Sequence, residues 1–398
     1  PAIPYGQGNG VCGGTVPSKG VIIIDTKRLQ SIGRVDDIDL TIDVEAGVTG
    51  AQLEAALNKQ GYTLGHFPLT TLSSTVGGWL AARSAGQYSS RYGTAADMVE
   101  SLTVVLSNGE TLDTNDPQQL EWNQLILGSE GTLGVITKAR LRVHPLAEAE
   151  TYRGYRFRTL EAGLLGIRLL MQSGLRPHLV HLYDPFESLL QSSGEGASRG
   201  GLASGVLTPL KDILSPDAGS ARARAGKKFG LAIALARPAM LNSAVDKLPV
   251  PCLLVFGFQG TQPSVDQDMT TARQLLEQAG GTDGGEGPGH RWKSRPHGVP
   301  LRRTGVFAAG AFTDTMDVSC IWSRVHDVYT AVRRAVAPYA LVLTHFTHAY
   351  REGCAVSFTF VCYRRDPASL DRLYEKMWDE ALEAAAKAGA SISHHRGI

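Results

Sequence analysis

Long apolar runs are missing from this sequence. The most hydrophobic stretches, residues 229–236 and 251–258, fall well short of the ~20 residues a helix needs to cross a bilayer. No transmembrane segment is visible, and only a peripheral membrane contact is left open. Cysteine is scarce: Cys12, Cys252, Cys320, Cys354 and Cys362 form no CxxC pair and leave an odd one over. That argues against a metal site of the zinc type and against a disulfide framework, and points to a reducing compartment. An excess of charge is missing too. Lys and Arg number 39 and Asp and Glu 38, so no long-range field gathers nucleic acid or an anionic surface, and any phosphate must be recognised locally. Without an initiator Met before Pro1, targeting signals are not legible; location reads no further than cytoplasmic or peripheral to a membrane.

What is present is enough to fold. The chain has 398 residues, 43% apolar and 19% charged, which is too long for one ordinary core and too apolar for disorder. Two lobes are expected, with boundaries at 1–148 and 149–398. The first reads as α+β: a buried strand at residues 21–25, a strand at 40–45, an amphipathic helix at 51–60 ended by Gly61, and strands at 102–106 and 134–143, with Asn108-Gly109 as a hairpin turn. The second opens with a helix at 160–173 and a Gly, Ser and Ala-rich stretch at 192–230 carrying Arg222, Arg224, Lys227 and Lys228, read as a surface loop in preference to a lid. A strand at 252–258, a helix at 269–278 and a glycine-rich loop at 280–289 follow. Then come a strand at 317–322, a helix at 325–336, a strand at 356–363 and a long helix at 370–388 closed by Gly389. This alternation predicts a second α+β lobe built on an antiparallel sheet.

Three glycine- and hydroxyl-rich segments stand out. The first, Pro4-Tyr5-Gly6-Gln7-Gly8-Asn9-Gly10, allows positive φ and lets successive N–H groups converge on an anion; alone it is equally a tight glycine turn. A strand rather than a helix follows, so it is not the strand-to-helix fingerprint of a dinucleotide fold. The second, residues 61–93, crowds Ser73, Ser74, Thr75, Gly77, Gly78, Ala81, Ala82 and Ser84 into one stretch, and the third is GSEGTLGVIT at 128–137. Small residues with hydroxyls let a backbone approach a flat ring or a phosphate and complete its hydrogen bonds.

Taken in order, these segments resemble the FAD-binding half of the vanillyl-alcohol-oxidase, or p-cresol-methylhydroxylase-like (PCMH-type), flavoproteins, over essentially residues 1–145. The resemblance implies FAD gripped by Pro4, Tyr5, Gly6, Gln7, Gly8, Asn9 and Gly10; by Pro68, Leu69, Thr70, Thr71, Ser73, Ser74, Thr75, Gly78, Ala81, Ala82, Arg83 and Ser84; and by Glu130, Gly131, Thr132, Gly134, Val135 and Ile136. Some relatives attach FAD through a histidine in the first loop. Here that loop has none, and Cys12 is the only thiol near it, so non-covalent FAD is implied. His66 is read as a packing or supporting residue. The family's upstream strand and helix have no counterpart, so the expectation is a fragment, or the ordered part, of a longer protein.

The C-terminal half carries THFTHAYREGCAVSFTF at 344–360 and ends SISHHRGI. Adjacent imidazoles on an extended chain point to opposite faces, which argues against a single ion held by His394 and His395 alone. Together these segments resemble the substrate domain of the alkyl-dihydroxyacetone-phosphate synthase family of ether-lipid synthesis. By that resemblance Tyr350 matches a catalytic tyrosine, His394 and His395 match the first two of three active-site histidines, and Arg303 takes the place of a phosphate-binding arginine. The sequence departs from the family at Arg396, where the third histidine is expected, and at His181, where a functional arginine is expected; Arg396 compensating for His181 is one reading. The GDGNxH metal motif of related D-lactate and glycolate dehydrogenases is not found. A tyrosine acting as acid or base needs a cation or histidine nearby, and His345, His348, His394 and His395 are the candidates.

The resemblance implies a redox-neutral exchange of acyl for alkyl on a phosphorylated ketone through a flavin N5 adduct. The alternatives are an FAD-dependent oxidoreductase of an alcohol or 2-hydroxy acid, and a flavin-binding protein without turnover. A small-molecule or lipid-like substrate is expected and nucleic acid is not; a homodimer is left open.

Overall fold

The computed structural model describes residues 1–116, 121–191, 237–246, 249–294, 311–363 and 366–395. The basic stretch at 192–230, together with Arg303 and Arg396, lies outside the described residues.

The N-terminal half runs β1 (Ala2–Tyr5), β2 (Ile22–Asp25), β3 (Thr41–Glu45), α1 (Gly50–Asn58), β4 (Tyr62–Thr63), α2 (Val76–Ala81), α3 (Ser89–Tyr92), β5 (Val99–Val105), β6 (Thr111–Asp113), α4 (Trp122–Ile126), β7 (Val135–Arg142) and β8 (His144–Pro145). Its sheet is four-stranded and antiparallel, in the order β3-β7-β5-β6. Ile42, Leu53, Val76, Leu80, Val104 and Leu141 fill the core beneath it. α1 starts where the sequence supplies a capping box: Gln52 N–H donates to the Thr49 hydroxyl, and the Gln52 side chain accepts from Thr49 N–H at 2.9 Å. One expectation is corrected. The strand at 22–25 is exposed, not buried, with Ile22 at 69%, because it pairs only with β1 in a two-stranded parallel ribbon.

The C-terminal half continues with β9 (Ala149–Phe157), α5 (Leu160–Gln172), β10 (Leu179–Tyr183), α6 (Pro185–Gln191), α7 (Pro238–Asp246), β11 (Cys252–Gly260), α8 (Gln262–Gln278), β12 (Thr282–Asp283), α9 (Gly287–Ser294), β13 (Ala311–Ile321), α10 (Val325–Val336), β14 (Leu341–Thr347), β15 (Gly353–Tyr363) and α11 (Pro367–Lys387). Seven strands form an antiparallel sheet in the order β12-β9-β11-β10-β14-β15-β13. Part of the expected glycine loop is the helix α9, and Trp322 has left the strand for a 3-10 turn.

Strand periodicity decides what each face of this sheet does. On β10, β14 and β15 the residues Val180, Leu182, Val342, Phe346, Val356 and Phe358 enter the core shared with α5, α8, α10 and α11. The residues between them, His181, His345, Thr347 and Ser357, must face the other way. β10 and β14 pair with Tyr183 opposite His345, and two residue pairs further along the same register His181 Nε2 meets Thr347 Oγ1 at 3.0 Å. A row of polar side chains is thereby set on the face away from the helices.

The helix side is fastened by a buried charge. Arg333 on α10 donates to Asp184 Oδ2 at 3.1 Å, to Val342 O at 3.0 Å and to Asp246 Oδ1 at 2.6 Å; Asp184 accepts Glu187 N–H at the start of α6 and is fully buried. Removing one partner strands the other in a medium that cannot solvate it. Arg333→Met is therefore expected to lower stability by about 3–5 kcal/mol, read as a fall in the urea midpoint at unchanged slope. A loss under 1 kcal/mol would show that the pair is dispensable.

Candidate functional site

The three segments singled out in the N-terminal half meet in space. Gly6 lies so close to Thr75 that a Cβ there would sit 2.3 Å from Thr75 Oγ1. Ser73 Oγ donates to Asn9 Oδ1 at 3.2 Å, and Gly131, at φ +81°, abuts the Pro4 ring, which a Cβ would meet at 2.8 Å. Glu130 N–H donates to Ala81 O at 3.0 Å. Arg83 donates to Leu127 O at 2.8 Å and Gln124 O at 2.6 Å, tying the second segment to the third. Gly8 has φ +64°, and the non-glycine residues Arg83 and Glu130 also have left-handed backbones, a cost of roughly 1–3 kcal/mol each that the packing around them must hold in place.

This cradle fits a dinucleotide cofactor. Gly6 and Gly131 leave no room for a side chain, Ser73, Ser74 and Thr75 bring three hydroxyls beside them, and Asn9 Nδ2 is buried with no hydrogen-bond partner among the described residues. Not all predicted contacts are equally placed for it. Ile136 belongs to the buried core of the sheet, and a Cβ on Gly134 would strike Val104 and the β5 backbone, so in this structure these two pack rather than present. Cys12 is exposed.

A second centre lies where residues 66–89 reach the polar face of the seven-stranded sheet. Gly86 packs on the Phe67 N–H and His66, and a Cβ there would come within 2.5 Å of Phe67 N. Gly86 O in turn accepts Ser89 N–H at 3.0 Å. Ser89 Oγ bonds His348 Nδ1 at 2.7 Å and accepts the Tyr350 hydroxyl at 3.1 Å. The His348 ring lies 5.1 Å from that of His394 and 4.8 Å from that of His395, and Tyr350 lies 6.0 Å from His394. His348 has φ +46°, a left-handed backbone uncommon for a non-glycine residue. It turns the chain between β14 and β15 so that His348 and Tyr350 both reach Ser89.

His394 and His395 do not diverge as an extended dipeptide would require. Their Nδ1 atoms converge to 2.8 Å, because residues 391–395 run irregularly after α11, anchored by Ser391 N–H to Ser319 O at 2.8 Å. With His348 they bring three ring nitrogens within 4.8 Å of one another. A tetrahedral zinc with Zn–N bonds of about 2.0–2.1 Å needs ligand separations of roughly 3.3 Å. The observed 2.8 Å is instead the length of a hydrogen bond sharing one proton.

Of the predicted site residues, Tyr350, His394 and His395 are together. His181 stands on a neighbouring branch, its ring 5.9 Å from His345 and stacked on it, with His345 Nδ1 3.1 Å from Glu187 Oε2. His348 and His394, expected around Tyr350, are there, and His345 is on the His181 branch instead. Ser89 and Trp292, whose ring is 5.7 Å from His181, escaped the sequence reading. Ser89 lies in a Ser-Ser pair within the second segment, and that extra hydroxyl was its only signal.

Burial governs the charges. It holds His66 and His181 down at about 3 and His394 at about 4, neighbouring imidazoles adding to the effect and Asp317 opposing it at His394. His348 is held well below the ordinary range for the same reasons. Burial pushes Tyr350 up to about 12, against the pull of its bond to Ser89. At neutral pH His348 and His394 are thus neutral imidazoles beside a neutral phenol.

Comparison with known proteins completes the description. A family described as FAD binding domain matches residues 1–115, and one described as FAD linked oxidases, C-terminal domain, matches residues 146–398. The chain is 27% identical over 410 residues to an alkyldihydroxyacetonephosphate synthase of Trypanosoma brucei brucei, covering all of this chain and 62% of that protein. It is 24% identical to an uncharacterized FAD-linked oxidoreductase of Escherichia coli, covering 95% of this chain and 71% of the other. A solved alkyldihydroxyacetonephosphate synthase superposes with a TM-score of 0.75 at 25% identity, covering 98% of this chain and 68% of that one. Against the three synthases of curated sequence, the chain spans 62–65% of their length.

Two outcomes follow from the geometry. Gly6→Val places branched carbons against Thr75 and is expected to weaken flavin retention by at least about tenfold, some 1.4 kcal/mol, seen as a fall in absorbance at 450 nm relative to 280 nm after gel filtration; an unchanged ratio would remove Gly6 from the cradle. The depressed histidines set an acid limit. Unfolding raises each towards 6.5, so the unfolded chain binds more protons and stability falls as pH drops below 6.5, by about 1.4 kcal/mol per pH unit for each such group until its folded value is reached. Melting temperatures of wild type and His66→Gln between pH 7 and 4.5 check this, the variant having the shallower slope.

Proposed function

The chain belongs to the FAD-linked oxidase family, its cofactor is FAD, and from that premise we propose that it exchanges the acyl group of an acyl-dihydroxyacetone phosphate for a long-chain alcohol. The reading is supported above all by similarity to synthases of that name, which runs through both halves of this chain and covers 62–68% of theirs. In the net reaction the alcohol gives up a proton, the alkyl oxygen replaces the acyl oxygen, and a fatty acid leaves; no electrons are gained or lost. When bound, the flavin supplies a nitrogen able to bond reversibly to carbon or to accept a hydride.

In this proposal the first lobe (1–148) holds FAD without a covalent bond, and the second (149–398) holds substrate. Residues 4–10, 68–71, 73–75, 78, 81–84, 130–132 and Val135 grip the cofactor, with Asn9 Nδ2 and the hydroxyls of Ser73 and Thr75 as its polar contacts. Tyr350 takes and returns the substrate proton, since its hydroxyl is the acid–base group set among imidazoles. His394 and His395 share a proton and donate towards the ketone or its phosphate. Arg303, His181 and Arg396 form the substrate-binding set. Burial of this centre excludes bulk water, which protects an exchange in which water would compete with the alcohol. A long-chain alcohol resides in membranes, so peripheral membrane contact belongs to the same proposal; among the described residues no helix is long and apolar enough to cross one.

The test follows the electrons. Anaerobically, palmitoyl-dihydroxyacetone phosphate is expected to perturb the flavin spectrum, and hexadecanol to restore it with release of palmitate and no electron acceptor. Lasting bleaching by an alcohol or a 2-hydroxy acid, reversed only by oxygen or a dye, would instead establish an oxidoreductase, as similarity to the E. coli protein also allows. Tyr350→Phe should retain FAD and lose about 10²- to 10⁴-fold in turnover; full turnover would return Tyr350 to packing. Acid precipitation should leave the flavin in the supernatant, and colour in the pellet would mark a covalent bond.

A further inference from the structure

Ser89 Oγ is engaged by two buried partners. A serine hydroxyl carries one proton and two lone pairs. It accepts from the Tyr350 hydroxyl at 3.1 Å, and its own proton can reach His348 Nδ1, 2.7 Å away, when that nitrogen carries none. Both partners come from the C-terminal half and Ser89 from the N-terminal half. Ser89 is 2% exposed and His348 6%, so water does not substitute for either bond. In the tautomer with Nδ1 accepting, His348 carries its proton on Nε2 and the hydrogen bonds run in one direction from Tyr350 through Ser89 to His348. Gly86 and the left-handed backbone of His348 hold the two ends in place.

We infer that Ser89 is a proton relay, a positioning residue through which Tyr350 hands a proton to His348 and receives it back. The inference rests on the reading of Tyr350 as the group that meets substrate. As a substrate O–H or C–H proton moves to Tyr350 Oη, the phenol proton moves to Ser89 Oγ and the serine proton to His348 Nδ1. The bonds broken are substrate–H, Oη–H and Oγ–H; those formed are Oη–H, Oγ–H and Nδ1–H. The substrate is left with one negative charge and His348 with one positive charge. No oxidant or further reactant enters, and the return step runs the same bonds backwards. The relay spares Tyr350 from standing as a bare phenolate in a site without a fixed cation among the described residues. The charge goes to an imidazole that burial and the neighbouring His394 and His395 hold neutral at rest, so it forms only while the negative charge left on the substrate balances it.

Ser89→Ala and Ser89→Thr test this in the FAD-loaded protein by two independent readouts. With palmitoyl-dihydroxyacetone phosphate and hexadecanol, Ser89→Ala is expected to lower kcat by about 10²-fold or more with KM within threefold and FAD content unchanged, while Ser89→Thr, which keeps the hydroxyl, stays within tenfold of wild type. Equal losses in the two variants, or a kcat for Ser89→Ala within threefold of wild type, overturn the relay. Without any substrate, 15N-histidine NMR, with His348→Gln to assign the signal, is expected to show the His348 Nδ1 resonance shifted in Ser89→Ala and retained in Ser89→Thr. An unshifted resonance in Ser89→Ala overturns the relay as well. If wild type turns over no acyl substrate while the resonance shifts as expected, the proposed reaction fails and the Tyr350–Ser89–His348 chain stands.

Discussion

The Ser89–His348 hydrogen bond joins residues 259 positions apart, and through it the two halves of the chain share one reactive centre. Neither half is chemically complete without the other. The N-terminal sheet with its glycine turns supplies a cofactor cradle and, through residues 66–89, a hydroxyl. The C-terminal sheet and its β14–β15 turn supply a phenol and a row of imidazoles on the side opposite α5, α8, α10 and α11. A buried bond of this kind is unforgiving: separating the partners by one ångström leaves a buried donor and acceptor unsatisfied, at about 1–3 kcal/mol each. The fit between lobes is therefore constrained where the chemistry is.

The same constraint explains why the sheet is built as it is. Antiparallel strands with one covered face can dedicate alternate residues to the core and the remainder to a site. Val180, Leu182, Val342 and Phe346 satisfy the helices, which frees His181, His345 and Thr347 for the opposite side at no cost to the core. His348 then breaks the pattern with a left-handed residue. A regular continuation of β14 would alternate its side chains away from Ser89; the turn between the strands delivers both His348 and Tyr350 to it.

What could be read from the sequence follows the locality of the signal. The cradle was legible because each of its three segments is internally unusual, and close backbone approach can be satisfied by only a few residue types. α1, α5, α10 and α11 were legible from periodicity and their ends. β9, β10 and β14 were not foreseen: β14 spells LVLTHFT, with His345 and Thr347 turned to the His181 branch, and β9 spells AETYRGYRF, where Arg153 is paired with Asp283 and charged residues interrupt the apolar pattern. The ribbon at 22–25 failed in the opposite sense, since Ile22, Ile23 and Ile24 look like core residues and only pairing shows that no layer covers them. Ser89 was illegible for a further reason, as one hydroxyl in a Ser-Ser pair acquires meaning only from a histidine and a tyrosine far along the chain.

Burial, with little fixed charge among the described residues, gives the centre its chemical character. Imidazoles held far below their ordinary range bind no proton at rest, and a phenol held near 12 releases none. A site of isolated residues with those properties would be inert at neutral pH. Linked residues behave differently, because a proton passed along hydrogen bonds charges only the two ends of the path, the substrate and the last imidazole. An anionic substrate would lower the cost of that separation by placing negative charge beside the new imidazolium, at a distance where a low dielectric makes the attraction worth several kcal/mol. Under the proposed reaction, the phosphorylated ketone would be that anion, and the empty centre would hold its protons until it binds.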